Sequence, residues 1–392
     1  MENSFRLTEK EEERILAFMH DMHAHPELSH EEFETTEKIR NFLKTVDGIS
    51  FLDLPVKTGL IARMECSAPG PETGLRADID AIRQTEMHEG PYRSEREGIM
   101  HACGHDFHTA SLLGAALILS RNRNRLKGSV DFVFQEAEET TDGAKEMIDA
   151  GLFTKIHPVR FFAQHNRPEV AAGKIVVKCG ALMAAKTNFI ITVRGKGGHG
   201  SMPHLCVDPI VCAAAVIQSL QTVVSRNTDP LDSVVLTVGS IHGGSVENLV
   251  VDTVKMTASI RALSVEAKEK AVARMEKIVR DLCSAYECTS EIEYREVLPP
   301  VINGPVMAAA ARKAAAEVVG EENVIDVPPT LASEDFAIIM EKIPSFLYWT
   351  GSGTPGEACH AWHSAEFHAN EKGVRIGAEV LAQSAACSAE MS

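Results

Sequence analysis

The segment His101-Ala102-Cys103-Gly104-His105-Asp106-Phe107-His108 holds metal-binding side chains more densely than ordinary protein surface does. A thiolate and an imidazole two residues apart can reach one borderline cation if Gly104 lets the backbone turn sharply between them, and Asp106 can brace a neighbouring imidazole. His101 and His108 read as supporting residues. A covalent role for Cys103, with His105 as its base, is the competing chemistry, although two residues so close in sequence converge more readily on a metal. Farther on, the apolar run ending at Gln135 leads into Glu136-Ala137-Glu138-Glu139, and Val159–Gln164 leads into His165. Adjacent acids point in different directions, so one can ligate while the other acts as a base. An acidic surface turn is the bland alternative for the pair.

These residues need elements to position them. Thr8–Glu11 and Ser29–Glu32 both have the pattern of a capping box before apolar residues at helical spacing, so two helices open the chain. Between them His23-Ala24-His25-Pro26 is a loop whose histidines are either ligands or supporting groups. Gly59–Met64 and Thr73–Ile79 read as strands, the second running into Asp78 and Asp80, which fall on one face and can orient ligands. Thr109–Ser120 reads as a helix, and Ser129–Gln135 and Val159–Gln164 as strands whose ends face a site if the sheet is an open α/β one. From Asn188 the order is strand, helix, strand, strand, helix, strand, ending near Val297, the βαββαβ order of a ferredoxin-like unit. Its first turn, Gly195–His204, has neither the GK[ST] ending of a phosphate loop nor the GxGxxG spacing, and carries His199 and His204. The expected fold class is therefore α/β: a catalytic domain with a mixed sheet and helices on both faces, residues 1–183 and 298–392, interrupted by a ferredoxin-like α+β domain, residues 184–297.

Composition narrows the partners. A net charge of −16 over 392 residues argues against nucleic acid, which calls for a basic stripe. The acidic start MENSFRLTEKEEER lacks the apolar core of a secretory signal, and the most apolar run, Ser111–Ser120, is about half a bilayer span, so the expectation is a cytoplasmic protein with no membrane partner. Nine cysteines without paired spacing point to reduced thiols.

Taken together, HACGHDFH, the Glu138-Glu139 pair, His165, GKGGHGSMPH and the late HSAEF carrying His363 resemble the M20 metallopeptidase family, closest to its amidohydrolase branch. The resemblance runs from about His23 to the last helix. It implies a metallopeptidase-type catalytic domain with two divalent metal ions, zinc, manganese, cobalt or nickel, held by Cys103, His105, Glu139, His165 and His363, with Glu138 as general base. It implies that His199 reaches across a dimer interface to polarise the substrate carbonyl, that Asn248 and Arg261 hold the substrate carboxylate, and that the inserted domain forms a homodimer and acts as a lid. The implied activity is hydrolysis of an N-acyl or N-aroyl amino acid to a carboxylic acid and a free amino acid. A dipeptidase or carboxypeptidase of the same family, and a non-catalytic metal- or carboxylate-binding protein on the same scaffold, are the alternatives. The latter has no need of a base. A zinc nucleobase deaminase is disfavoured because its HxE and PCxxC pattern is missing. The chain departs from the usual family wording at Glu136, at Thr140-Thr141-Asp142 and at Ala81-Ile82-Arg83, none of them an implied ligand.

Overall fold

The computed structural model describes residues 5–90 and 92–388, so the first four residues of the acidic N-terminal stretch lie outside it. The chain divides into two compact units, Met1–Gly180 with Ile302–Pro328 and Ile338–Ser392, and Ala181–Val301 with Pro329–Ala337.

The first unit is built on an eight-stranded sheet. Its strands in chain order are β1 (Ile49–Leu52), β2 (Leu60–Glu65), β3 (Ala68–Asp78), β4 (Lys127–Gln135), β5 (Arg160–Ala171), β6 (Ile175–Val176), β7 (Val324–Ile325) and β8 (Ser345–Gly353). Their order across the sheet is β1-β2-β4-β3-β5-β8-β6-β7. The four central strands β4, β3, β5 and β8 run parallel, while β1, β2 and the β6–β8 contact are antiparallel, so the sheet is mixed. From Ser129 to Gln135 and from Ser345 to Ser352 every residue is buried, as both faces of a central parallel strand require. Helices α1 (Glu9–Ala24) and α3 (His105–Asn122) pack on each other, and α3 also meets the terminal helix Lys372–Ser388.

Thr8 does form its capping box, exchanging hydrogen bonds with Glu11 at the start of α1. The second one does not form. Helix α2 (Phe33–Leu43) starts after Glu32 with no side-chain cap from Ser29. Ser29 Oγ instead donates to Asp80 Oδ2 at 2.7 Å, and the buried Glu32 carboxylate accepts from Thr58 Oγ1 at 2.7 Å and from the Ala137 backbone N–H at 2.9 Å. Tertiary partners have taken the groups that local capping would have used.

The second unit holds a four-stranded antiparallel sheet of Val234–His242, Thr253–Ala262, Ala185–Arg194 and Thr289–Leu298, in that spatial order. By position in the chain this is 2-3-1-4, the ferredoxin-like arrangement expected from βαββαβ. Burial alternates along Thr253–Ala262, so one face is covered and the other is more open. The helices Pro209–Asn227 and Val265–Ala285 supply the cover. Pro209–Asn227 is the one helix among the described residues long and apolar enough to cross a membrane, which the shorter run Ser111–Ser120 did not suggest. Cys212, Ala213, Val216, Leu220 and Val223 on it belong to the core beneath the sheet.

Candidate metal centre

Five segments of the first unit supply the candidate residues: the end of β3, the start of α3, the turn after β4, the interior of β5 and the loop that carries His363. The cysteine-histidine stretch is partly helical: α3 begins at His105, four residues earlier than the apolar spacing suggests, and Gly104 is its N-cap residue at φ +82°. A Cβ on Gly104 would also lie 2.4 Å from Asn166 Nδ2, so both conformation and space demand glycine between Cys103 and His105.

The acidic pair follows β4 on a turn and not on a strand end. Ala137 takes φ +53°, unusual for a residue with a side chain, and is held there by its N–H bond to Glu32 and by its carbonyl bond to the Gly143 N–H at 3.2 Å. A Cβ on Gly143 would meet Glu136 O at 1.8 Å, so the turn closes only on glycine. Glu138 is 6% exposed.

His165 was expected at a strand terminus. It lies inside β5, which continues to Ala171 because β8 pairs alongside it, Trp349 opposite His165 and Thr350 opposite Asn166. His363 is brought in by its backbone N–H, which donates to Ala102 O at 2.8 Å, and it too has a left-handed backbone, φ +64°.

Donor atoms of Cys103, His105 and His165 lie within 4.8 Å of one another, as do those of Cys103, Glu139 and His363, and those of His105, Glu138 and Glu139. The three groups overlap, sharing Cys103, His105 and Glu139. Cys103 Sγ is 3.5 Å from His165 Nε2, and His363 Nε2 is 3.2 Å from Glu139 Oε1.

Carboxylates orient the imidazoles from behind. His105 Nδ1 is 3.0 Å from Asp80 Oδ1, His108 Nδ1 is 2.6 Å from Asp78 Oδ1, and the Glu139 backbone N–H donates to Asp80 Oδ2 at 3.0 Å. Asp78 and Asp80 therefore orient His108, His105 and the turn at Glu139 instead of lying solvated, one of the two roles open to them from sequence. Asp106 braces His23 instead of a histidine of its own segment, Nδ1 to Oδ2 at 2.8 Å, and Glu86 meets the other nitrogen of His23 at 3.2 Å. His23 is thus a supporting group, and His25 Nδ1 bonds Asp21 O at the end of α1.

The electrostatics follow from this packing. Burial alone would raise the Asp80 carboxyl, but the bond and charge of His105 with the Glu139 N–H hold it below the usual carboxylate value. Burial disfavours protonated His105, yet Asp78 and the bond to Asp80 raise it well above an ordinary imidazole. His165 goes the other way, lowered by burial and by nearby His108, and its Nδ1–H donates to Asn166 O at 2.8 Å, leaving the Nε2 lone pair toward Cys103. Burial and the Glu139 charge push the Cys103 thiol well up, which argues against an activated nucleophile.

The donor set fits divalent cations. Thiolate, imidazole and carboxylate together suit zinc and its neighbours in the first transition row. His105 Nε2 is fully buried, and among the described residues it makes no hydrogen bond. Asp78 Oδ2 lies 3.7 Å from it and Glu139 Oε1 3.9 Å, both beyond hydrogen-bond distance. A buried imidazole nitrogen left in that state costs about 1–3 kcal/mol unless something coordinates it.

His199, Asn248 and Arg261 belong to the second unit. A two-stranded ribbon pairs His199 with Leu249, and the Gly200 N–H donates to Asn248 O at 2.8 Å, so His199 and Asn248 are neighbours, both exposed. His199 Nδ1 accepts from Ser201 Oγ at 2.9 Å. Arg261, lowered from its usual pKa by burial, donates to Ser333 Oγ at 2.6 Å.

Asn166 and Trp362 were not singled out from sequence. The available signal for Asn166 was its place directly after His165, where the apolar run Val159–Ala163 has already given way to polar residues.

Comparison with known proteins places the chain in a family. Residues 74–386 match the model of peptidase family M20/M25/M40. An N-acetylcysteine deacetylase from Bacillus subtilis (strain 168) is 38% identical over 371 residues, covering 94% of this chain and 95% of the relative. An N-acetyldiaminopimelate deacetylase from Geobacillus thermodenitrificans (strain NG80-2) is 35% identical over 360 residues, covering 92% and 94%. The crystal structure of a dinuclear metal-binding peptidase of the M20 family from Bacillus subtilis superposes with a TM-score of 0.84 at 33% identity, covering 98% of this chain and 99% of that one. With a family match over most of its length and relatives above 30% identity along nearly all of it, the chain belongs to peptidase family M20/M25/M40.

Proposed function

We propose that the protein is a metal-dependent amidohydrolase that cleaves the amide bond of N-acyl amino acids. The observation that carries this reading is the convergence of Cys103, His105, Glu139, His165 and His363 on one cluster with the buried Glu138 beside it. Cys103, His105, Glu139, His165 and His363 would hold two divalent cations, which when bound acidify water and polarise a carbonyl. Glu138 takes the proton of the attacking water and later hands it to the departing amine, so one carboxylate serves both halves of the reaction. Asp80 keeps His105 and Glu139 in register throughout, since it bonds both. The relatives named as deacetylases of N-acetylcysteine and N-acetyldiaminopimelate support an N-acyl amino acid as the substrate class. A panel of N-acetyl, N-benzoyl, aminobenzoyl and indoleacetyl amino acids, offered to metal-reconstituted protein, tests it: release of free amino acid from at least one is expected, and none from any would reject the reading.

His199 donates to the substrate carbonyl from the partner subunit of a homodimer, and Asn248 and Arg261 receive the substrate carboxylate. Exposed Leu205, Ile210, Val211, Val246 and Leu249 in the second unit support a self-association surface there. Mixing inactive His199→Ala and inactive Glu138→Gln chains is expected to regain up to about a quarter of full activity, because random pairing gives half heterodimers with one intact site each. Mixed dimers that stay inactive would reject the role in trans. A cytoplasmic setting agrees with nine cysteines that are all free.

A further inference from the structure

Asn166 is fully buried, and its four polar atoms all bond groups in and around the candidate metal centre. Its Nδ2 donates to Cys103 O at 2.5 Å and faces His108 Nε2 at 3.1 Å. Its Oδ1 accepts from Trp362 Nε1–H at 3.1 Å and from Ser352 Oγ at 3.2 Å. Its backbone N–H donates to His108 Nε2 at 2.8 Å, and its carbonyl accepts from His165 Nδ1 at 2.8 Å.

Two consequences follow from ordinary hydrogen-bond chemistry. An imidazole that accepts at one nitrogen must carry its proton on the other, so Asn166 sets His108 to donate to Asp78, and sets His165 to present a free lone pair at Nε2. A primary amide alone offers donors and an acceptor from one planar group. It can therefore bond the carbonyl of Cys103 and the indole next to His363 at once.

We propose that Asn166 is the positioning residue of the metal centre: its amide and peptide groups fix Cys103, His165 and the loop of Trp362 and His363 in the one arrangement that binds cations tightly. The inference rests on the ligand set proposed above. Asn166→Asp keeps the shape but replaces the donor by an oxygen facing Cys103 O. Trp362→Phe keeps an aromatic ring beside His165, which the Trp362 ring meets at 4.7 Å, but removes the indole donor.

Both variants are compared with wild type for zinc affinity, by titrating the metal-free protein in competition with a chromophoric chelator, and for the thermal midpoint of the metal-free protein. Asn166→Asp is expected to bind zinc about 10–100-fold more weakly, and Trp362→Phe several-fold more weakly. A folded Asn166→Asp protein within twofold of wild-type affinity overturns the proposal, whatever its midpoint. If Asn166→Asp does not fold, Trp362→Phe decides by the same twofold criterion. Wild-type protein that fails to bind two zinc ions per chain overturns the ligand set and this inference together, whereas two ions bound equally by wild type and variants overturn this inference alone.

Discussion

Glu138→Gln is expected to lower kcat for amide hydrolysis by about 10²–10⁴-fold, the range for removing a positioned general base, while metal content stays unchanged. The amide keeps the shape of the carboxylate but loses its negative charge and its ability to take a proton. The site tolerates the exchange for a structural reason: the turn that presents residue 138 is held through the backbone, by Glu32 on the Ala137 N–H and by Gly143 on the Ala137 carbonyl. Elemental analysis beside a rate assay checks it. Full metal with near-normal turnover would reject Glu138 as the base, and loss of metal would move Glu138 into the ligand set.

Removal of metal is expected to abolish activity entirely. Dialysis against a strong chelator, followed by the chelator-free buffer, should leave hydrolysis at background, and adding back a divalent cation should restore it. The arrangement of side chains explains why no residual activity is expected. Without a cation, the Cys103 thiol is pushed up and His105 is held between Asp78 and Asp80, so the centre offers no Lewis acid to activate water, and His199 alone is left to act on the carbonyl. Restoration by zinc, manganese, cobalt and nickel separately would rank the metals, because affinity order by itself does not choose among them. Turnover unaffected by prolonged chelation would remove the metal from the mechanism.

Much of the chemistry was legible in the residue types and their order. Cys103, His105, the acidic pair and His165 stand out in the chain because titratable side chains next to glycine or at the end of an apolar run serve burial and helix formation poorly, whereas His363 was pointed to only by the resemblance of its HSAEF segment to the family. The ferredoxin-like unit was legible too, since alternating strands and two long amphipathic helices announce themselves by period. Local pattern was less informative about Ser29–Glu32, where a capping sequence was overridden because Asp80, Thr58 and Ala137 offer its side chains buried partners.

Tertiary structure alone decided which of those residues meet. Cys103, Glu139, His165 and His363 come from segments as much as 260 residues apart (363 minus 103), and the pairing of β5 with β8 and the bond of His363 N–H to Ala102 O bring them together. It also decided the partners: Asp106 turned to His23 while Asp78 and Asp80 took the site histidines, and Asn166 became a shared hydrogen-bonding group although nothing about its type demanded it. The reason is physical. Periodicity along one element encodes which face is buried, but a buried polar group must be satisfied by whatever the fold places beside it, and that neighbour is a property of strand order and not of local sequence.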